Sequence, residues 1–184
     1  MPVEIIYETH STTTDNERGI ATGWLPGQLS ERGREQAQML GGRHRRDHVT
    51  AVFVSDLARA VETAEIAFGG SDIPIYRDAR LRECNYGALN GMLVARLAAE
   101  RSWHIDEPWP GGQSYREVVD QMRDFLRDLA ASRDWSRIVI IAHSANRLAL
   151  DHLLAGVPLE DLVDAPFAWQ EGWPYTLPAR WSRV

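Results

Sequence analysis

Two histidines in the sequence each follow a short apolar run of the kind that forms a buried strand. His10 comes soon after the run V-E-I-I-Y, and His143 comes directly after R-I-V-I-I-A. In open α/β sheets, ligands collect at the carboxyl ends of the strands. A neutral imidazole fixed by a backbone hydrogen bond keeps a free lone pair and is a nucleophile. The two histidines therefore indicate one chemical site at a sheet edge.

An arginine and a glutamate follow the other predicted strands. Arg59 opens a helical pattern just after the apolar run Ala51–Val54, and Glu83 lies on a glycine-containing loop beyond the strand Ile73–Tyr76. Arginine and helix N-termini stabilise a transferring phosphoryl group, and a carboxylic acid protonates a leaving alkoxide. All 20 basic residues are arginine, which excludes Schiff-base and P-loop lysine chemistry. This set predicts phosphoryl transfer through a phosphohistidine.

The elements that must position these residues alternate between strand-like and helix-like patterns. Ser30 is a helix N-cap, and Ser114 with Glu117 has the spacing of a capping box. The tail from Pro158 to Val184 is predicted to be packed coil with one edge strand. The predicted helices are Ser30 to Gly41-Gly42, Leu57 to Phe68, Met92–Arg101, Tyr115–Ala131 and Asn146–Leu154. The predicted edge strand is Tyr175–Leu177. The alternation predicts a three-layer α/β/α sandwich with a mostly parallel central sheet.

Composition sets limits on where the protein acts and on its partners. A chain of 184 residues is expected to form one domain, residues 1–184. The net charge of −6 argues against nucleic acid as a partner, and no apolar run is long enough to span a membrane. The lone Cys84 is typical of a reducing compartment, so we expect a cytoplasmic protein without a signal peptide. Monomer and homodimer both remain open.

Six ordered blocks of the chain resemble the motifs of one family. They are T-H-S-T-T-T-D-N (9–16), L-S-E-R-G-R-E-Q-A (29–37), S-D-L-A-R-A-V-E-T-A (55–64), L-R-E-C-N-Y-G-A-L-N-G (81–91), P-G-G-Q-S (110–114) and A-H-S (142–144). On these blocks the chain resembles the histidine phosphatase superfamily, which includes the phosphoglycerate mutases. The resemblance covers nearly the whole chain. It implies a phosphoglycerate-mutase-like fold and metal-independent hydrolysis of a small phosphomonoester without a cofactor.

The resemblance also implies roles for individual residues. His10 would be the phosphorylated nucleophile, Arg59 and His143 would bind the phosphoryl group, and Glu83 would donate a proton to the leaving group. The substrate-binding rim would consist of Thr9, Ser11, Asn16, Arg82 and Ser144. Mutases of the family carry insertions for which this chain has little room, so phosphatase is preferred to mutase.

The block around the nucleophile departs from the family pattern. Thr9 stands where the family has arginine, and Ser11 stands where it has glycine. Losing a charge-assisted contact costs about 1.5–3 kcal/mol, and losing a comparable transition-state donor lowers turnover by roughly 10²–10³. Three hypotheses follow. Another arginine (Arg18, Arg82 or Arg147) replaces the missing one; the activity is slow or tuned to an unusual substrate; or the site binds phosphoesters without hydrolysing them.

Other chemistries in the sequence are weaker. His44 and His48 have the i,i+4 spacing of a metal pair, but the surrounding arginines would repel a cation, so no metal site is predicted. Cys84 lacks the arginine that a cysteine phosphatase loop needs six positions later. Ser144 resembles a nucleophile elbow without its glycines and without a suitably placed later histidine. The tail residues Trp169, Trp173 and Trp181 are predicted to pack, although they could close over the site.

Overall fold

The structure is a computed structural model that describes residues 1–132 and 135–181. The strands are β1 (Val3–Thr9), β2 (Ile20–Ala21), β3 (Ala51–Val54), β4 (Ile75–Arg77), β5 (Met92–Leu93), β6 (Arg137–Ala142) and β7 (Trp173–Leu177). The helices are α1 (Thr14–Glu17), α2 (Glu31–His44), α3 (Ala58–Phe68), α4 (Val94–Glu100), α5 (Tyr115–Ser132), α6 (Ser144–Ala155) and α7 (Leu159–Val163). Short 3₁₀ turns cover Ala79–Leu81, Gly87–Leu89 and Arg101–His104.

The central sheet has the strand order β4-β3-β6-β1-β7. All its pairings are parallel except that of β7, which runs antiparallel to β1. The predicted edge strand is therefore confirmed and begins two residues earlier than expected. Because β1, β3 and β6 are parallel and adjacent, their carboxyl ends lie along one edge of the sheet. The loops that follow these strands therefore lie at one edge of the sheet, as predicted.

Helices cover both faces of the sheet, so the three-layer prediction is confirmed. Strand β6 shows this directly, because its successive side chains enter different cores. Ile138 and Ile140 pack with α5 and α6, whereas Val139 and Ile141 pack with α2 and α3. A strand buried on both faces reads as a continuous apolar run, which is why β6 was recognisable in the sequence.

Helix α2 extends past the glycines that were expected to end it. The prediction was wrong because Gly41 serves a close contact between helices and does not act as a terminator. A Cβ atom at Gly41 would lie 2.2 Å from the carbonyl oxygen of Ala67 in α3. The helix therefore continues to His44, which brings Arg43 and His44 beside β1.

Two other predictions change in detail. Met92 and Leu93, expected to begin a helix, pair with β2 in a small second sheet before α4 starts. The tail contains the short helix α7, which was predicted as coil. The capping box is confirmed, since the backbone N–H of Glu117 donates to Ser114 Oγ (3.2 Å) and that of Ser114 donates to Glu117 Oε2 (2.7 Å). Among the described residues, no helix is both long and apolar enough to cross a membrane.

Candidate active site

A cavity of about 580 Å³ opens at the carboxyl edge of the sheet. Its floor contains His10, its walls come from α2 and α4, and the segment before β7 closes one side. The predicted site residues in its lining are Thr9, His10, Ser11, Asn16, Arg59, Glu83 and Ser144. Most of the residues singled out in the sequence are thus brought together.

The imidazole of His10 is held with one nitrogen free. Its backbone N–H donates to the carbonyl of Ala142, which ties the loop after β1 to the end of β6. Its Nδ1 lies 2.8 Å from the carbonyl oxygen of Ser11, so Nδ1 must carry the proton and Nε2 keeps its lone pair. Burial and the nearby charge of Arg59 lower the pKa of His10 to about 3, against the hydrogen bond to Ser11. The ring is therefore neutral near neutral pH, with the lone pair of Nε2 available.

His143 lies beside His10, with the two ring centroids 5.1 Å apart. It is fully buried, and its Nε2 is 2.8 Å from the hydroxyl of Ser55 at the end of β3. Its Nδ1 has no hydrogen-bond partner among the described residues. Burial, followed by the charge of Arg59, keeps the pKa of His143 well below its usual value. Its unpartnered nitrogen beside His10 is suited to a ligand oxygen, although His143 itself is not among the described residues that line the cavity.

Arg59 projects from the first turn of α3 and is buried. Its Nη2 donates to the carbonyl of Gly23 (2.8 Å) and its Nη1 to that of Leu25 (3.3 Å). Among the described residues no carboxylate forms an ion pair with it. Burial lowers the pKa of Arg59, and the nearby carboxyl group of Glu83 opposes this shift. A buried cation held only by neutral carbonyls attracts an anion into the cavity.

Glu83 is the buried carboxyl of the site. One oxygen accepts from the backbone N–H of Cys84 (2.8 Å) and the other from the hydroxyl of Ser144 (3.2 Å). Burial raises the pKa of Glu83, against these hydrogen bonds and the charge of Arg59. A carboxyl whose neutral form is favoured in this way is a suitable proton donor.

The rim residues are held by local hydrogen bonds. The backbone N–H of Ser11 donates to Thr63 Oγ1 (3.0 Å), which fixes the loop after the nucleophile to α3. Asn16 accepts from the N–H of Thr13 (2.9 Å) and lies exposed at the cavity edge. Thr9 ends β1 opposite Ala142.

None of the three arginines expected to replace the missing one lines this cavity. Arg82 pairs with Asp56 (2.6 Å) and lies over the ring of Trp24. Arg147 pairs with Asp151 (2.9 Å) and lies over Trp173, and Arg18 is exposed at the end of α1. The arginines that the cavity does contain are Arg32, Arg43, Arg59 and Arg101.

Sequence reasoning missed a second buried carboxyl in the cavity wall. Glu8 accepts from Arg43 Nη2 (3.1 Å) and pairs with His44 Nε2 (2.9 Å), while His44 Nδ1 lies 2.7 Å from Asp47. The signal was a charged residue directly after the apolar run I-I-Y of the first strand. His44 thus serves this cluster, and the exposed His48 does not face it.

The structure also bears on the remaining sequence hypotheses. Burial raises the pKa of the Cys84 thiol well above its usual value, which makes a poor nucleophile. The Ser144 hydroxyl is engaged with Glu83, and His152 bonds the carbonyl of Val157 (2.8 Å). Trp173 and Trp181 pack as predicted, whereas Trp169 is 57% exposed and lines the cavity.

Comparison with known proteins finds relatives named as phosphatases and relatives named as phosphoglycerate mutases. A protein named phosphoserine phosphatase 1, from Hydrogenobacter thermophilus, is 29% identical over 85% of this chain and 78% of that protein. A glucosyl-3-phosphoglycerate phosphatase from Mycolicibacterium vanbaalenii is 30% identical over 85% and 76%. Other relatives are named phosphoglycerate mutases.

The fold is also similar to that of a protein of known structure. The solved structure of YhfR from Bacillus stearothermophilus superposes with a TM-score of 0.81 at 26% identity, covering 92% of this chain and 88% of that one. The family model of the histidine phosphatase superfamily (branch 1) matches residues 9–169, which span the loop of His10, all the described cavity-lining residues except Glu8 and Glu171, and part of the tail. This chain belongs to the histidine phosphatase superfamily.

Proposed function

We propose that the protein hydrolyses a small phosphomonoester through a phosphohistidine on His10. The observation that carries the proposal is the fixed tautomer of His10, with Nδ1 bonded to Ser11 and Nε2 free beside Arg59 and His143. The phosphatase names of the relatives support hydrolysis. No step of the proposed reaction requires a metal or an organic cofactor.

In the first step, His10 Nε2 attacks phosphorus and the bond to the leaving oxygen breaks. Glu83 gives its proton to that oxygen, and the alcohol leaves. The phosphorylated ring carries a positive charge while Nδ1 keeps its proton, and the carbonyl of Ser11 stabilises it. Arg59 and the free nitrogen of His143 bind the phosphoryl oxygens, where charge is spread in the transition state.

In the second step, water attacks the phosphohistidine and Glu83, now ionised, accepts a proton from it. The N–P bond breaks, phosphate leaves and His10 returns to its neutral form. One carboxyl thus acts as acid and then as base. The raised pKa of Glu83 suits the first role, and the hydrogen bonds to Cys84 and Ser144 support the ionised form in the second.

Two other functions compete with this one. A protein that binds phosphorylated ligands without turnover is favoured by Thr9, since the phosphoryl group meets one arginine fewer than in the family pattern. A mutase activity is supported by the names of some relatives. Hydrolysis, binding without turnover and mutase activity each predict a different fate for the phosphoryl group, so one experiment distinguishes the three functions.

The test is hydrolysis of 4-nitrophenyl phosphate in the presence of a chelator, with rapid quenching of radiolabelled substrate to capture the protein-bound phosphate. We expect chelator-resistant turnover and an acid-labile, alkali-stable phosphoprotein. Both are lost in His10→Ala. The matched control is His48→Asn, because His48 is exposed and its left-handed backbone (φ 52°) suits asparagine. It should behave as wild type.

Turnover that survives in His10→Ala would refute the mechanism. If neither turnover nor a phosphoprotein is found but inorganic phosphate raises the melting temperature, the binding function is correct. Transfer of label from the protein to an added phosphoglycerate, instead of to water, would identify a mutase.

A further inference from the structure

A second, smaller cavity of about 220 Å³ adjoins the main one. The residues that line both cavities are Tyr86, Leu97, Arg101, Ser144 and Phe167. Ser144 is the residue whose hydroxyl donates to Glu83. The boundary between the cavities therefore lies on the side of the proton donor. If Glu83 protonates the leaving group, that group must extend towards this boundary.

Arg101 is the charged residue on the boundary. Its Nη2 donates to the carbonyl of Ala165 (3.1 Å), and no carboxylate pairs with it in the part of the chain that the structure describes. Of the other arginines in the two cavities outside the His10 site, Arg43 pairs with Glu8 (3.1 Å) and Arg147 with Asp151 (2.9 Å), whereas Arg32 is exposed to solvent. Arg101 thus has the arrangement of Arg59, a guanidinium held by a neutral carbonyl and left without a counter-ion.

The surroundings of Arg101 strengthen its attraction for an anion. The described lining of the smaller cavity contains Arg101 and Arg147 but no carboxylate. Apolar side chains such as Leu97, Leu162 and Phe167 make up much of the rest. In the larger cavity the acidic lining residues are Glu8, which is already paired, Glu83 and Glu171. Low local polarity strengthens the interaction of a cation with an anion.

We propose that Arg101 binds an anionic group carried by the leaving alcohol. On this view the substrates are phosphomonoesters of acidic alcohols, with the phosphoryl group at His10 and Arg59 and the second anion at Arg101. The inference rests on the proposed hydrolysis, because it uses Glu83 to define the side of the leaving group. It makes Arg101 a specificity-determining residue that does not touch the reacting atoms.

The test compares two substrates of nearly the same shape, 3-carboxyphenyl phosphate and 3-carbamoylphenyl phosphate. Wild type should hydrolyse the acid with a kcat/KM at least about 10-fold above that of the amide, the factor expected for one charge-assisted contact. Arg101→Gln should remove this preference by lowering kcat/KM for the acid alone. The control Arg96→Gln changes an exposed arginine of α4 that pairs with Glu100 (2.9 Å), and it should keep the preference.

The same design distinguishes a carboxylate from a second phosphate. Propane-1,3-diol bisphosphate is compared with propyl phosphate, and a larger preference in this pair would identify a phosphate as the natural second anion. Arg101→Lys retains the charge and should keep part of either preference. It also serves if Arg101→Gln does not fold.

Failure of this inference is separable from failure of the proposed function. Equal kcat/KM for acid and amide in wild type would overturn the role of Arg101 while leaving phosphohistidine hydrolysis intact. An equal loss for both substrates in Arg101→Gln would show a structural role and would also overturn it. No hydrolysis of any substrate would count against the proposed function itself.

Discussion

Two buried carboxyls line the same cavity, and their surroundings differ. Glu8 is 1% exposed and faces Arg43 and His44. Glu83 is 8% exposed, and its hydrogen bonds come from the neutral groups of Cys84 and Ser144. Burial alone does not distinguish these two carboxyls, but the charge of their hydrogen-bond partners distinguishes them.

The difference indicates two separate tasks. A buried carboxylate that pairs with cationic side chains ties elements together, here the end of β1 to α2. A buried carboxyl with neutral partners keeps its proton at higher pH, because burial raises the pKa of Glu83. We therefore assign structural support to Glu8 and proton transfer to Glu83.

The largest effect should come from Glu83→Gln. The amide cannot protonate a leaving alkoxide, so kcat/KM for an alkyl phosphate, which reports the first step alone, should fall by roughly 10²–10⁴. The loss should be much smaller for 4-nitrophenyl phosphate, whose leaving group needs little protonation. Steady-state kinetics on both substrates measure this, with Glu8→Gln as the matched control. Equal losses on the two substrates would contradict the proton-donor role.

Glu8→Gln should instead destabilise the fold. Removing the charge leaves Arg43 and His44 without their shared partner, which costs about 3 kcal/mol. Denaturant unfolding at neutral pH measures the change, and activity of the folded fraction should stay within a few-fold of wild type. An unchanged free energy of unfolding would remove the distinction between the two carboxyls.

Thr9→Arg tests whether an added cation in the cavity, like the charged neighbours of Glu8, changes the pKa of Glu83. A new cation after β1 should raise kcat/KM for an aryl phosphate by roughly 10-fold or more, as a charge-assisted contact would. It should also lower the pKa of Glu83, so the decline of activity with alkyl phosphates should begin at lower pH. A pH–rate profile measures both effects. No gain in rate would show that Thr9 does not limit the activity.

Much of the fold could be predicted because its signals are local. The run R-I-V-I-I-A indicates a strand buried on both faces, and Ser114 with Glu117 indicates a helix start, whatever the rest of the chain does. The end of α2 could not be predicted in this way. Gly41 is required by the carbonyl of Ala67 in α3, which is distant in sequence and becomes a neighbour only when the helices pack.

For the candidate site as well, one part could be predicted from the sequence and another part could not. His10, Arg59, Glu83 and His143 follow elements that a reader can identify, so their meeting at one edge was predictable from topology. The sequence could not show whether an arginine replaces the missing one, because Arg82 and Arg147 form ion pairs with Asp56 and Asp151. In a chain whose cations are all arginine, ion pairing decides which of them remain free, and pairing is a property of the folded structure.

The smallest effect concerns His44, whose Nε2 lies 2.9 Å from Glu8. Burial alone would lower the pKa of His44, but hydrogen bonds to Glu8 and Asp47 outweigh it and raise the pKa above the usual value. The folded state then binds this proton more tightly than the unfolded state. The contribution to stability is complete below about pH 6.5 and is lost as the pH rises through the folded-state pKa. The free energy of unfolding of wild type relative to His44→Gln should therefore be larger at pH 6 than at pH 9. A difference independent of pH would show that His44 is neutral in the fold and that Arg43 alone neutralises Glu8.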